Sequence, residues 1–326
     1  MRRRPRRAGG RPGGNLAGAL TTAPDLRATL ASLELAHPVL NGSGTFDAIA
    51  ALRVFGDELR ERFPFSAFVS KTITVEPRAG NPPPRLWEAA AGMVNSIGLP
   101  NKGLTGFLRH DLPVLGTLPV PLVVSVAGFG HDEFAQLVVG VAERDEVAAL
   151  ELNVSCPNVK SGCVMGDDPR ETAALMERVR PLTTKPLIVK LTPNASDVGG
   201  VAVAAEHGGA DAVSLINTLR ARPADPESGR PWLGAGSGGL SGPAVKAIAL
   251  EQVNAVATRT SLPVVGMGGI RSGRDALDFV AAGATCVAVG TESFRDPAAG
   301  ERVRAELAQL LATRRVARLA DLVRVP

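Results

Sequence analysis

The sequence predicts an α/β protein: a (β/α)8 TIM barrel with an N-terminal hairpin and long top-face loops. Three observations carry this. Eight short, mostly apolar runs recur along the 326 residues, most of them followed by an amphipathic or alanine-rich stretch. Strands apolar along their whole length suit a parallel sheet buried on both faces. Eight such units over roughly 270 residues fit a barrel better than a doubly wound sheet. Finally, polar or glycine residues gather where nearly every run ends: Ser43, Lys71, Ser125, Asn153, Lys190, Asn217 with Thr218, Gly268 with Gly269, and Gly290 with Thr291. In a parallel barrel those ends share one face, where active sites are built.

In chain order, LRATLASLELAHPVL (26–40) reads as a hairpin able to close the barrel bottom. The strands follow as PVLNGSG (38–44), AFVSKTI (67–73), LVVSVAG (122–128), ALELNVS (149–155), LIVKLTP (187–193), AVSLINT (212–218), PVVGMGG (263–269) and CVAVGTE (286–292). DAIAALRVFGDELRER (47–62) and DPRETAALMERVR (168–180) carry helical periodicity. Segments 74–100 and 219–242 are irregular and long for barrel loops, which predicts lids or binding walls.

With 45% apolar and 21% charged residues, wholesale disorder is excluded. The formal charge of +4 lies at one end: residues 1–14 hold six arginines and no acid, so the rest has 30 basic against 32 acidic side chains. No aromatic residue is interleaved with those arginines, so residues 1–24 read as a disordered, solvated tail with no nucleic-acid partner, and residues 25–326 as the barrel domain. Leu16–Leu20 is too short for the apolar core of a secretion signal, and no run of 18 apolar residues offers a membrane span. Cys156, Cys163 and Cys286 make no disulfide framework, and the odd number fits a reducing, cytoplasmic setting. Without a CxxC pair, and with His37, His110, His131 and His207 scattered, no metal site is expected.

Only six lysines occur among 36 basic residues, so Lys71 and Lys190, both inside apolar runs, are specific choices. A buried ammonium needs an anion or an electron-rich ligand. A phosphate or a reduced flavin satisfies that need, and so does a salt bridge to Glu151. The glycines of GMGGIRSG and VGTESF follow the seventh and eighth strands, where barrels commonly bind phosphate; tight turns are the alternative. Gly234, Gly236 and Gly239 spell G-x-G-x-x-G, but no strand immediately precedes them and no acid follows at the right distance, so a dinucleotide fold is rejected. In ELNVSCPN, Asn153 and Asn158 flank the thiol of Cys156, and both could bond a flat polar ligand. A lone thiol is often inert packing. Pro157 and the polar surroundings favour a reactive role here, whereas Cys163 reads as incidental.

From about Leu26 to Asp296 the chain resembles the class 1 dihydroorotate dehydrogenases, in particular the 1B type. NGSGTF, SKTITVEPRAGNPPPR, GMVNSIGLPNKG, ELNVSCPNV, VKLTPN, INT, GGLSGPA, GMGGI and VGT carry the resemblance in order. It implies an FMN-bearing barrel that oxidises (S)-dihydroorotate to orotate in pyrimidine synthesis, with Cys156 as the base at C5 and hydride leaving C6 for the flavin. It implies substrate contacts from Lys71, Asn95, Ile97, Gly98, Leu99, Asn153, Asn158, Asn217 and Thr218. FMN contacts would come from Ser43, Lys71, Thr72, Ser125, Asn153, Lys190, Ile216, Gly242, Gly268, Gly269, Gly290 and Thr291. It further implies a homodimer, assembled into a heterotetramer with a partner subunit whose FAD and iron–sulfur cluster pass electrons to NAD. A fumarate-using class 1A enzyme, a dihydropyrimidine-type FMN oxidoreductase and a non-enzymatic flavin scaffold are the alternatives. Ser125 stands where the family usually has Asn, Asp47-Ala48 replaces a glycine pair, and the arginine tail has no counterpart.

Overall fold

The computed structural model describes residues 23–155 and 165–323, so the tail through residue 22, Cys156, Asn158 and Cys163 lie outside the described residues. The predicted hairpin forms: β1 (Ala28–Leu30) and β2 (Leu33–Leu35) pair antiparallel, Ala28 opposite Leu35. The remaining strands in chain order are β3 (Val39–Asn41), β4 (Phe68–Val69), β5 (Leu86–Ala89), β6 (Gly92–Asn95), β7 (Leu122–Val126), β8 (Val147–Asn153), β9 (Leu187–Lys190), β10 (Ala212–Leu215), β11 (Leu219–Ala221), β12 (Gly238–Ser241), β13 (Val264–Met267) and β14 (Cys286–Val289).

The eight apolar runs supply β3, β4, β7, β8, β9, β10, β13 and β14. They form one parallel sheet in the order β3-β14-β13-β10-β9-β8-β7-β4, which is chain order wrapped round a barrel. Closure between β3 and β4 uses the Ser66 N–H, which donates to the Val39 carbonyl at 3.0 Å, and the side chain of Asn41. Period-2 alternation divides the core. Leu40, Val69, Val123, Ala149, Ile188, Ala212, Val265, Cys286 and Ala288 pack together inside the barrel, with Leu30 and Leu35 of the hairpin plugging its lower end. Their neighbours, such as Val39, Phe68, Val124, Leu150 and Val189, face the surrounding helices.

The predicted helix 168–180 forms as Pro169–Val179, capped by the Asp168 carboxylate, which accepts from the Arg170 N–H at 2.8 Å. The helix expected over 47–62 is instead two, Ala48–Phe55 and Asp57–Glu61, because Gly56 turns left-handed at φ 57°. Segments 74–100 and 219–242 are irregular over most of their length but contain four short strands. They build a second, antiparallel sheet over the barrel, in the order β11-β12-β6-β5. Its strands have three or four residues and β6 and β12 pair across 144 positions, Asn95 opposite Gly239, so no local periodicity reveals them. The G-x-G-x-x-G glycines belong to this sheet and its approach. A Cβ on Gly239 would stand 1.9 Å from the Thr218 hydroxyl oxygen, so close packing explains that glycine. Among the described residues no helix is long and apolar enough to cross a membrane, and no cluster of His, Cys, Asp and Glu could hold a metal ion.

Candidate functional site

The inward positions change character as the strands rise. Above the apolar layer of Val123, Ala149, Ile188 and Ala212, the next inward residues on the same strands are Ser125, Glu151, Lys190 and Ser214, all buried. Both carboxylate oxygens of Glu151 are occupied: the Ser125 hydroxyl donates to Oε1 and the Ser214 hydroxyl to Oε2, each at 3.0 Å. Lys190 Nζ lies 3.8 Å from Oε1, with the two side chains 8% and 3% exposed. That is ion-pair distance without a hydrogen bond. The salt bridge to Glu151 that the sequence left open is thus present, and it leaves the donors of Lys190 unfilled among the described residues.

Higher still, the mouth is polar. Thr72 and Ser125 share a hydrogen bond of 2.9 Å, and Thr72 meets Ser43 at 3.0 Å. Asn153 Nδ2 donates to the Thr72 hydroxyl at 3.5 Å, and Asn217 Nδ2 donates to Asn153 Oδ1 at 3.3 Å and to the Ser155 hydroxyl at 2.9 Å. Six expected site residues (Ser43, Thr72, Ser125, Asn153, Lys190 and Asn217) are therefore joined in one network. Asn95 and Thr218 are brought together separately, on either side of Gly239: Asn95 Nδ2 donates to its carbonyl at 3.4 Å and Thr218 packs against its Cα. Ile97 and Gly98 bond the 78–81 arm, where the Asn81 N–H donates to the Ile97 carbonyl at 3.0 Å and Arg78 Nε to the Gly98 carbonyl at 3.5 Å, while the Leu99 carbonyl accepts from Asn101 Nδ2 at 2.8 Å. Leu99 holds a left-handed φ of 53° beside Gly98 at 76°. Ile216 is buried at the end of β10.

One expectation needs correction, and the structure adds a detail to a second residue. Lys71 is not buried in its run: β4 ends at Val69, and Lys71 is exposed, so it has no desolvation to compensate. Ser125 does not stand at the surface of the mouth. It is fully buried, and its hydroxyl bonds Thr72 and Glu151.

On the opposite side the glycine loops converge. Gly242 precedes the turn Pro243–Val245, which leads into helix Lys246–Ala257, and a Cβ on Gly269 would press 2.9 Å from the Gly242 carbonyl. Gly268 and Gly269 have φ of 133° and 76°. Gly290 is different: a Cβ there meets only Thr45 Cγ2, at 3.9 Å, and otherwise open space. Thr291 donates its hydroxyl proton to Ser241 at 2.8 Å, tying β14 to the second sheet. The sequence reading missed the importance of Glu151 and Ser214. Both were legible in principle, because Glu151 lies two residues before Asn153 and so shares its inward face, and Ser214 is the register partner of Lys190.

Fold and site together define a barrel enzyme with its polar groups at the C-terminal ends of the strands. A family model described as dihydroorotate dehydrogenase matches residues 25–311. The chain is 43% identical over 304 residues to the "Dihydroorotate dehydrogenase B (NAD(+)), catalytic subunit" of Geobacter metallireducens, covering 92% of this chain and 97% of that one. It is 45% identical over 298 residues to the protein of that name from Desulforudis audaxviator, covering 90% and 95%. The crystal structure of DHODH in complex with ferulenol from Eimeria tenella superposes with a TM-score of 0.77 at 24% identity, over 96% of this chain and 91% of that one, a likeness of fold. The chain belongs to the dihydroorotate dehydrogenase family and is an oxidoreductase.

Proposed function

We propose that the chain is the catalytic subunit of a B-type dihydroorotate dehydrogenase, oxidising (S)-dihydroorotate to orotate in pyrimidine synthesis with FMN held at the barrel mouth. The observation that carries the reading is Lys190: a side chain 8% exposed, 3.8 Å from Glu151, with no hydrogen bond among the described residues, beside the Thr72–Asn153–Asn217 network. The residues present fit FMN. Open space at Gly290 and the left-handed turns at Gly268 and Gly269 leave room for backbone N–H groups to approach a phosphate, which is what glycine supplies at such sites. Ser43, Thr72, Asn153, Lys190 and Ile216 would hold the ring, Gly242, Gly268, Gly269, Gly290 and Thr291 the phosphate, and exposed Lys71 would reach ring and substrate together.

Bound there, FMN supplies the two-electron acceptor for the hydride leaving C6. The chain supplies the rest. Asn95, Asn153, Asn158, Asn217, Thr218 and the backbone of Ile97, Gly98 and Leu99 orient a flat ring rich in imide donors and acceptors. Cys156 takes the C5 proton on its sulfur as the C5–C6 double bond forms. The relatives' name, "catalytic subunit" of an NAD(+) enzyme, supports a partner subunit and NAD as the final acceptor; a partner carrying FAD and an iron–sulfur cluster, assembled around a dimer of this chain in the cytoplasm, is the reading that the family resemblance adds.

Anaerobic addition of dihydroorotate to the yellow protein tests the reading. Bleaching by dihydroorotate and not by dihydrouracil is expected, with recolouring by NAD only when the partner is present. A flavin bleached by dihydrouracil alone, or by neither compound, overturns it, and recolouring by fumarate without a partner makes the enzyme the A type.

A further inference from the structure

We propose that Glu151 is a positioning residue: its buried carboxylate aligns the hydroxyls of Ser125, Thr72 and Ser43 and holds the Lys190 ammonium, so that the ring site faces a paired rather than a free cation. The inference deepens the reading above and rests on FMN occupying the mouth.

Hydrogen-bond bookkeeping carries the argument. An ionised carboxylate only accepts, and a hydroxyl has one proton to give. Ser125 spends its proton on Glu151 Oε1 at 3.0 Å. Its 2.9 Å contact with Thr72 must then be donated by Thr72. With that proton used, Thr72 can only accept, and Asn153 Nδ2 and Ser43 are the donors facing it, at 3.5 and 3.0 Å. Ser43 divides its proton between Thr72 and the Ser70 carbonyl, each 3.0 Å away. The chain is thus polarised toward Glu151, and Ser43, at its upper end, offers lone pairs to an N–H of the ligand. The same carboxylate sits 3.8 Å from Lys190 Nζ in a buried setting, where Coulomb interactions are strong. A lone cation beside the ring would favour an anionic reduced state, and Glu151 moderates that field.

The test is the midpoint potential of FMN bound to Glu151→Gln and Glu151→Asp chains, together with FMN affinity and urea unfolding of the apoproteins. Glu151→Gln removes the charge and is expected to shift the oxidised-to-reduced equilibrium about tenfold toward the reduced form, about 30 mV for a two-electron couple. Glu151→Asp keeps the charge and stays within about twofold of the parent. An unmoved or lowered potential in Glu151→Gln, with only stability lost, overturns the proposal. Should that variant fail to fold, Ser125→Ala decides: the break in the chain is expected to weaken FMN binding about tenfold with an unmoved potential, and unchanged affinity overturns it. A parent chain that takes up no FMN overturns the reading of the site itself, a result distinct from either.

Discussion

The Asn41 side chain stands in for a missing rung between β3 and β4, its Nδ2 donating to the Val69 carbonyl and its Oδ1 accepting from the Val69 N–H, both at 2.8 Å. Asn41 is fully buried, so no water replaces it. Asn41→Ala leaves two interior backbone groups unpaired, at about 1–3 kcal/mol each. Urea unfolding is expected to show a loss of about 2–5 kcal/mol. Asn41→Asp should do no better, since a carboxylate oxygen then faces the Val69 carbonyl. A loss below about 1 kcal/mol would mean that the barrel closes without this residue.

His37 gives the fold a dependence on pH. Burial, and secondarily the positive charge of Arg304, lower its pKa to about 4, against the opposing pull of Glu301. Its Nδ1 also accepts from the Val39 N–H at 3.3 Å, which only an unprotonated nitrogen can do. Arg62, Glu61, Glu301 and Arg304 line the adjoining cavity of about 540 Å³ at the lower end of the barrel. The unfolded histidine titrates near 6.5, so between pH 6.5 and 4 the unfolded chain binds the extra proton and stability falls as pH drops. The ring is only half-buried, which makes about 3 kcal/mol an upper bound for that fall. Unfolding free energies measured from pH 7 to 4 should flatten in a His37→Gln chain, and an unaltered slope contradicts the assignment.

The eight strands and the hairpin were legible because a barrel strand is buried on both faces and writes itself as a local apolar run. The second sheet was not, because β6 and β12 are four-residue strands with half-buried, glycine-containing sequences whose pairing depends on contacts 144 positions apart. At the site, Lys190 and Asn153 stood out as polar residues ending apolar runs. Lys71 misled for the same reason: its apolar neighbours suggested burial, but the strand stops two residues earlier and releases the side chain to solvent. Glu151 was visible only as a partner for Lys190, since its two serine donors come from β7 beside it and from β10, which lies beyond β9 in the barrel.

The thiols should separate by function. Cys286 lies inside the barrel with no exposure, and burial pushes its pKa up to about 12, so it is neither nucleophile nor base near neutral pH. Cys286→Ala should keep dihydroorotate oxidation within about twofold of the parent, at a stability cost of about 1–2 kcal/mol for the lost sulfur packing. Cys156 as the base predicts turnover that rises with pH across a thiol titration. Cys156→Ala should abolish that limb together with most of the activity, and a variant that retains most of it removes Cys156 from the reaction.

Gly269 and Gly290 separate folding from ligand binding within the same loops. At Gly269 a side chain is excluded by the protein itself: φ is 76° and a Cβ would lie 2.9 Å from both the Gly242 carbonyl and Lys246 Cβ. Gly269→Ala should therefore unfold at lower urea whether or not a ligand is present. At Gly290 the space is open, with Thr45 Cγ2 at 3.9 Å the only neighbour within 4 Å among the described residues, and φ is negative, so the backbone accepts a side chain. A methyl group there would enter the open space that the proposed FMN site assigns to the phosphate. Gly290→Ala is accordingly expected to lose at least tenfold in FMN affinity while its apoprotein unfolds within about 2 kcal/mol of the parent. Equal FMN affinity in the two chains would move the phosphate away from the end of β14.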